Sequence, residues 1–380
     1  MRPEEQEDDG GERTMFVTRA QLFEAARAAD PVANYLVVLE GTAPRRRLEI
    51  GTEPITIGRG LTQTLVCDDR DVSRQHARVS IVNGVVTVED LNSTNGTFVD
   101  EERIAGAVPL KDGARIRLGG QLLKYERRSR AEVKKAEELD KDIRKASQYV
   151  HSLLPPPISS GPVHTAWRFV PSAQLGGDAF GYYWLDPNTF VFYLMDVSGH
   201  GVGSAMHSVS VLNVLRQRAL PLVDFKNPSE VLASLNDRFP TSEHNGLYFT
   251  MWYGVYDTST RELSYGTAGH GPAILVPADK HETEPLGMSA MMIGMMPDQT
   301  YDVARVTIPP GSTLFVFSDG AYEIVTKDGD RWELENFLPL LIAPSIPELT
   351  EPERVYQAIK EVVKPGPLED DLSLLALTFV

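Results

Sequence analysis

The spacing of apolar and polar positions changes twice along the chain and divides it into three stretches. From Tyr35 to Glu126, short alternating or apolar runs are broken by Gly, Asn and Asp: YLVVLEG, RRRLEIG, PITIGRG, HARVSIVNG, VVTVEDL, GTFVD, ARIRLGG and LLKYE. Period-two alternation between frequent turn residues predicts an all-β sandwich over residues 35–126. From Ser129 to Leu154 charges dominate. Leu139, Ile143, Ala146, Val150 and Leu153 recur there at alternating steps of four and three residues, which predicts a helical linker over 127–154 with a heptad stripe. Pro155-Pro156-Pro157 stops it.

The third stretch, residues 155–380, mixes both rhythms. Strands are predicted at Trp167–Val170, Tyr182–Leu185, Phe190–Met195, Tyr248–Tyr256, Glu262–Tyr265, Ala273–Val276, Thr313–Phe317 and Leu372–Phe379. Helices are predicted at Ser204–Arg218, Ser229–Phe239 and Pro352–Val363. Strands follow one another through short turns, as in DTSTRELSYG. That favours antiparallel pairing and an α+β domain over a series of βαβ units. Ahead of the sandwich, residues 1–34 are predicted to be a partly disordered tail, charged at its start, with a short helix at Thr18–Ala29 capped by Thr18.

Composition narrows the partners. The net charge of −16 over 380 residues would repel nucleic acid and anionic membranes, so neither is expected as a partner. Cys67 is the single cysteine, so no internal disulfide forms, consistent with a reducing cytosol. No apolar run approaches the ~18 residues of a membrane span. The expected location is cytoplasmic.

Three loops of the first stretch carry unusual polar groups: Gly58-Arg59, Ser73-Arg74-Gln75-His76, and Asn92 to Thr97 (NSTNGT). A fork-shaped cation, hydroxyls and an amide are the parts needed to hold a phosphate and fix the backbone beside it. In order and spacing these elements resemble the forkhead-associated (FHA) domain. The resemblance implies a phosphothreonine-peptide reader, in which Arg59, Ser73 and Thr94 contact the phosphate, Arg74 adds to them, and Asn95 holds the peptide backbone. It gives His76 a bracing role.

In the third stretch, acidic residues recur where strands stop. Asp196 ends the apolar run FVFYLM and opens the glycine-rich loop DVSGHGVG. Gly176-Gly177-Asp178, Ser318-Asp319-Gly320 and Glu369-Asp370-Asp371 stand at three other strand ends. A single such Asp is commonly a turn former. Four of them, with no His/Cys pairs at zinc spacing, point to hard-oxygen ligation of Mg²⁺ or Mn²⁺. A dinucleotide loop is the rival reading of Gly199-x-Gly201-x-Gly203, but no glycine follows three residues after the second.

The ordered set LLPP, GGDAF, DVSGHG, AGH, SDG and DDLS resembles the metal-dependent (PPM, type 2C-like) serine/threonine phosphatases, in their bacterial branch of stage II sporulation protein E and sigma-B regulator (RsbU-like) type. That resemblance implies two packed antiparallel sheets flanked by helices, with two Mn²⁺ or Mg²⁺ ions at one edge. Asp178 and Asp196 would hold one ion, Asp196 would bridge to the other, and Asp319 and Asp370 would complete the second site, with Asp371 ranked below Asp370. The carbonyl of Val197 is a further implied ligand. Gly177 and Gly181 stand where other members carry acids. His200 lies four residues past Asp196, and its role stays open between general acid and loop residue. His270 reads as structural.

The expected function is a bacterial signalling phosphatase acting on a phosphorylated protein substrate, an anti-sigma-factor antagonist by family resemblance. An FHA module would read phosphothreonine partners, and a homodimer would form through the linker helix. The alternative is a non-catalytic FHA scaffold with a degenerate phosphatase fold.

Overall fold

The computed structural model describes residues 32–44 and 46–380. The helix predicted at Thr18–Ala29 lies outside them. The chain divides into two compact units, residues 1–140 and 141–380. The division falls inside one long helix, Arg130–Leu153.

The first unit is a β-sandwich of a six-stranded and a five-stranded sheet. Its longest strands, Val32–Glu40 and Gln121–Ser129, pair antiparallel, with Leu36 opposite Tyr125. Leu36, Ile57, Val79, Val88, Ile116 and Leu123 are fully buried between the sheets, one face of each alternating strand, as the period of two requires.

The second unit is built in four layers. One five-stranded sheet runs, in spatial order, Val163–Val170, Leu372–Phe379, Thr313–Phe317, Ala273–Val276, Glu284–Leu286. The other runs Ala179–Asp186, Thr189–Val197, Phe249–Asp257, Glu262–Ala268, Ala304–Thr307. All ladders within these two sheets are antiparallel. Phe190, Phe192 and Leu194 point between the sheets, where they meet Trp252, Leu314, Val316 and Leu375. Val191, Tyr193 and Met195 point the other way and meet Leu212, Leu215, Leu232 and Leu235 of helices Val202–Arg216 and Pro228–Arg238. Both faces of this strand are covered, which explains its unbroken apolar run. On the far side, helices Leu334–Ile342 and Glu351–Val362 cover the first sheet through Phe337, Leu341, Val355 and Ile359.

Sequence patterning missed three elements here. Helix Leu334–Ile342 contains Pro339, which removes an intrahelical donor and disguises the period. Glu284–Leu286 and Ala304–Thr307 are edge strands, half-exposed and too short to show a pattern.

The linker stripe finds part of its partner within the chain. Val150 is buried against Leu175, Ala205 and Val209, with Ile143 and Leu153 at the border of that cluster. Leu139 and Ala146 stay exposed.

Candidate functional site

Strand ends place the acids. Asp178 immediately precedes Ala179–Asp186, and Asp196 is the penultimate residue of Thr189–Val197, in adjacent strands with Ala179 opposite Met195. Asp319 lies two residues past Thr313–Phe317, at the start of a short 3-10 turn. Asp370 and Asp371 lead into Leu372–Phe379, which pairs with that strand, Leu374 opposite Phe317. Each sheet therefore supplies acids to one shared edge.

Asp371 joins the two sheets there. Its Oδ1 accepts from the Ser172 N–H (2.7 Å) and Ser172 Oγ (2.9 Å), and its Oδ2 from the Gly177 N–H (2.5 Å). Its own carbonyl accepts from Ser318 Oγ at 3.0 Å, and Ser318 Oγ accepts in turn from the Ser373 N–H at 2.9 Å. A buried carboxylate committed to three donors is a brace. Glycine is required beside it, since a Cβ on Gly320 would stand 2.2 Å from the Asp371 carbonyl oxygen. A Cβ on Gly177 would stand 2.8 Å from the Val197 carbonyl oxygen, so an acid there has no room.

Concentrating carboxylates at a low-dielectric edge disfavours their charged forms. Burial, then the charge of Asp196, holds the Asp178 carboxyl well above the usual range. Asp196 is pushed up to about 7 by burial and then by Asp319, Asp370 and Asp371. Asp319 is pushed up to about 6 by burial and then by Asp370. Asp178 Oδ2 and Asp319 Oδ1 are buried without hydrogen-bond partners. An orphaned buried polar oxygen costs about 1–3 kcal/mol, and a hard divalent cation is the partner that suits it.

Among the described residues no three His, Cys, Asp or Glu side chains close into a single metal-holding group. Asp196 nonetheless feels the charges of Asp319 and Asp370, the partners expected of it. Asp370 is exposed and turns Oδ1 to the Asp371 N–H at 2.8 Å. The donor set fits hard cations by its chemistry and by the two orphaned oxygens.

The histidines separate cleanly. His270 is buried, and its Nε2 faces the Phe317 carbonyl (3.1 Å), which can only accept. Nε2 therefore carries the proton, and Nδ1 accepts from Thr250 Oγ1 (2.7 Å). Burial depresses its pKa to about 4, so it is a neutral strut. His200 is exposed on the loop between Gly199 and Gly201, whose φ values of 77° and 91° are those of glycine.

In the first unit, a groove of about 700 Å³ is lined by Arg59, Arg70, Ser73, Arg74, Thr94 and Asn95, among others. His76 is fully buried below it, accepting from the Ser73 N–H at Nδ1 (3.0 Å) and facing the Gly96 carbonyl from Nε2 (3.1 Å). The Thr94 N–H donates to Ser73 Oγ at 3.1 Å, and Asn95 Nδ2 to the Asp71 carbonyl at 2.9 Å. All five predicted groove residues meet. Arg70 is the addition that sequence reading missed, although it stands three residues before Ser73.

Residues 186–380 match the stage II sporulation protein E (SpoIIE) family model, and residues 55–119 match the FHA domain model. The first match covers more than half of the chain, and the protein belongs to the stage II sporulation protein E family, with an FHA domain ahead of its family domain. It is 29% identical over 193 residues to phosphoserine phosphatase RsbP of Bacillus subtilis, covering 50% of this chain and 46% of that one. Over 88 residues it is 43% identical to the FHA domain-containing protein FhaB of Mycolicibacterium smegmatis, covering 23% of this chain and 57% of that one. The chain thus spans about half the length of these curated relatives. The SiaA-PP2C domain of Pseudomonas aeruginosa superposes with a TM-score of 0.54 at 18% identity, covering 64% of this chain and 98% of that domain, which establishes the PP2C fold. No helix among the described residues is long and apolar enough to cross a membrane.

Proposed function

We propose that this protein is a metal-dependent serine/threonine protein phosphatase, regulated through an FHA domain that reads phosphothreonine. The observation that carries the reading is the acidic edge, where both sheets deliver carboxylates whose charged forms are disfavoured and two of whose oxygens lack any partner. Asp178, Asp196, Asp319 and Asp370, with the Val197 carbonyl, would hold two Mn²⁺ or Mg²⁺ ions. Bound there, such ions lower the pKa of water and neutralise a phosphoryl group under attack. The chain's own part is positioning. Asp371 locks the Gly176–Asp178 turn, which leads into the second sheet, to the first sheet, and Ser318 fixes the Asp370-Asp371 turn. His200 is assigned as proton donor to the departing Ser or Thr alkoxide, being the exposed imidazole on the loop that follows Asp196. The expected substrate is a phosphorylated anti-sigma-factor antagonist, in line with family membership and the likeness to RsbP. A homodimer through the linker would use Leu139 and Ala146, the exposed part of the stripe.

A non-catalytic scaffold would have no use for crowded, unpaired carboxylates. Hydrolysis of p-nitrophenyl phosphate with and without Mn²⁺ separates the two readings: metal-dependent turnover supports the phosphatase, and none at saturating Mn²⁺ supports the scaffold.

A further inference from the structure

Away from the acidic edge, a cavity of about 350 Å³ opens between Leu153 and Pro156 at the end of the long helix, Phe180 and Gly181 on strand Ala179–Asp186, and Arg216 and Arg218. Tyr193 also lines it. A Cβ on Gly181 would stand 2.4 Å from the Tyr193 hydroxyl oxygen, so that hydroxyl fills the space of the missing side chain. The hydroxyls of Tyr193 and Tyr183 are both buried without a hydrogen-bond partner.

Two cations border these unsatisfied groups. Arg216 donates from Nη1 to the Leu153 carbonyl at 3.1 Å. Arg218 donates from Nη2 to the Trp184 carbonyl at 3.3 Å and lies over the Tyr183 ring, 5.1 Å from its centroid. Each guanidinium has five N–H donors, so most remain to be used. Among the described residues neither has a carboxylate partner, in a chain of net charge −16. Apolar walls on one side and two uncompensated guanidiniums on the other match a ligand with an apolar body and an anionic end. The volume is at the small end of ligand pockets, enough for one ring.

We propose that this cavity binds a small amphipathic carboxylate, its apolar body against Leu153, Pro155 and Pro156 and its carboxylate against Arg216 and Arg218. Such a ligand takes the unused donors of Arg216 while Nη1 keeps the Leu153 carbonyl. It therefore ties the last turn of the long helix more firmly to helix Val202–Arg216, which starts at the DVSGHG loop. This gives the catalytic unit a chemical input separate from the phosphopeptide groove.

The full chain is titrated with phenylacetate and benzoate, and with the neutral phenylacetamide and benzamide, by ligand-observed NMR and thermal unfolding. Saturable binding of a carboxylate is expected, with its amide about tenfold weaker or more, because the amide forgoes the charge-assisted bonds. Arg216→Met and Arg218→Met each weaken it about fivefold or more. Arg59→Ala leaves it unchanged, which excludes the groove of the first unit as the site. Arg218 is exposed, so its variant keeps the test decisive should Arg216→Met fail to fold. The proposal is overturned if neither carboxylate saturates the wild-type chain up to about 20 mM, if the amides bind as well, or if Arg218→Met binds like wild type.

Discussion

At the residue scale, Asp370 and Asp371 are adjacent in sequence and opposite in circumstance. Asp371 is buried with three donors on its carboxylate, while Asp370 is exposed. Asp371→Asn turns an NH₂ toward the Ser172 or Gly177 N–H and should cost about 1–3 kcal/mol. Asp370→Asn should stay within about 0.5 kcal/mol of wild type in stability, yet lose activity. Urea unfolding of both variants checks this, and equal stabilities would refute the brace. Asp196 and Asp319 make a second case. Replacing either with Asn should lower turnover by at least ~10²-fold, the scale of losing one contact in a preorganised site. Their folded pKa values, about 7 and about 6, lie above the unfolded carboxylate range. The folded state thus holds protons that the unfolded state has released. Stability in EDTA should be greatest below about pH 4 for these groups and fall as pH rises to 7, by on the order of a few kcal/mol. Asp196→Asn should flatten that fall in thermal unfolding between pH 5 and 8, and Mn²⁺ should offset it in wild type.

At the scale of elements, the linker helix shows how one stripe serves two surroundings. Its heptad spacing left the partner open between a second chain and the unit that follows the helix. Val150 is buried against helix Val202–Arg216 and Leu175. Val150→Glu should therefore destabilise the second unit by at least about 2 kcal/mol through an unpaired buried charge, independent of protein concentration. Leu139→Glu, at an exposed position, should change stability little and lower any self-association seen by sedimentation. A concentration-dependent loss in Val150→Glu alone would restore the original dimer seam.

At the scale of the whole molecule, the Arg59 groove and the acidic edge belong to separate compact units. Arg59→Ala should cost about 1.5–3 kcal/mol of phosphothreonine-peptide binding and leave p-nitrophenyl phosphate turnover unchanged. Calorimetry and a steady-state assay on one preparation decide both halves. An unchanged affinity would reduce Arg59 to a surface charge.

The sequence by itself determined the strands whose pattern is strong. Ala273–Val276, Thr313–Phe317 and Leu372–Phe379 have the same bounds in both readings, because a strand covered on both faces is built mostly of apolar residues. It also determined that acids stand at strand ends, since apolar runs stop where carboxylates begin. It did not determine which strands are neighbours, because ladder pairing is made by backbone groups that every residue carries. That pairing sets Asp178 beside Asp196 and Asp319 beside Asp370, and the packing of the two sheets brings the pairs to one edge. It also gives Asp371 its three donors, one of them 194 residues away at Gly177. The partner of the linker stripe was likewise open, since one apolar face fits another chain or its own. Only the packed tertiary structure, in which Leu175, Ala205 and Val209 meet Val150, makes that choice.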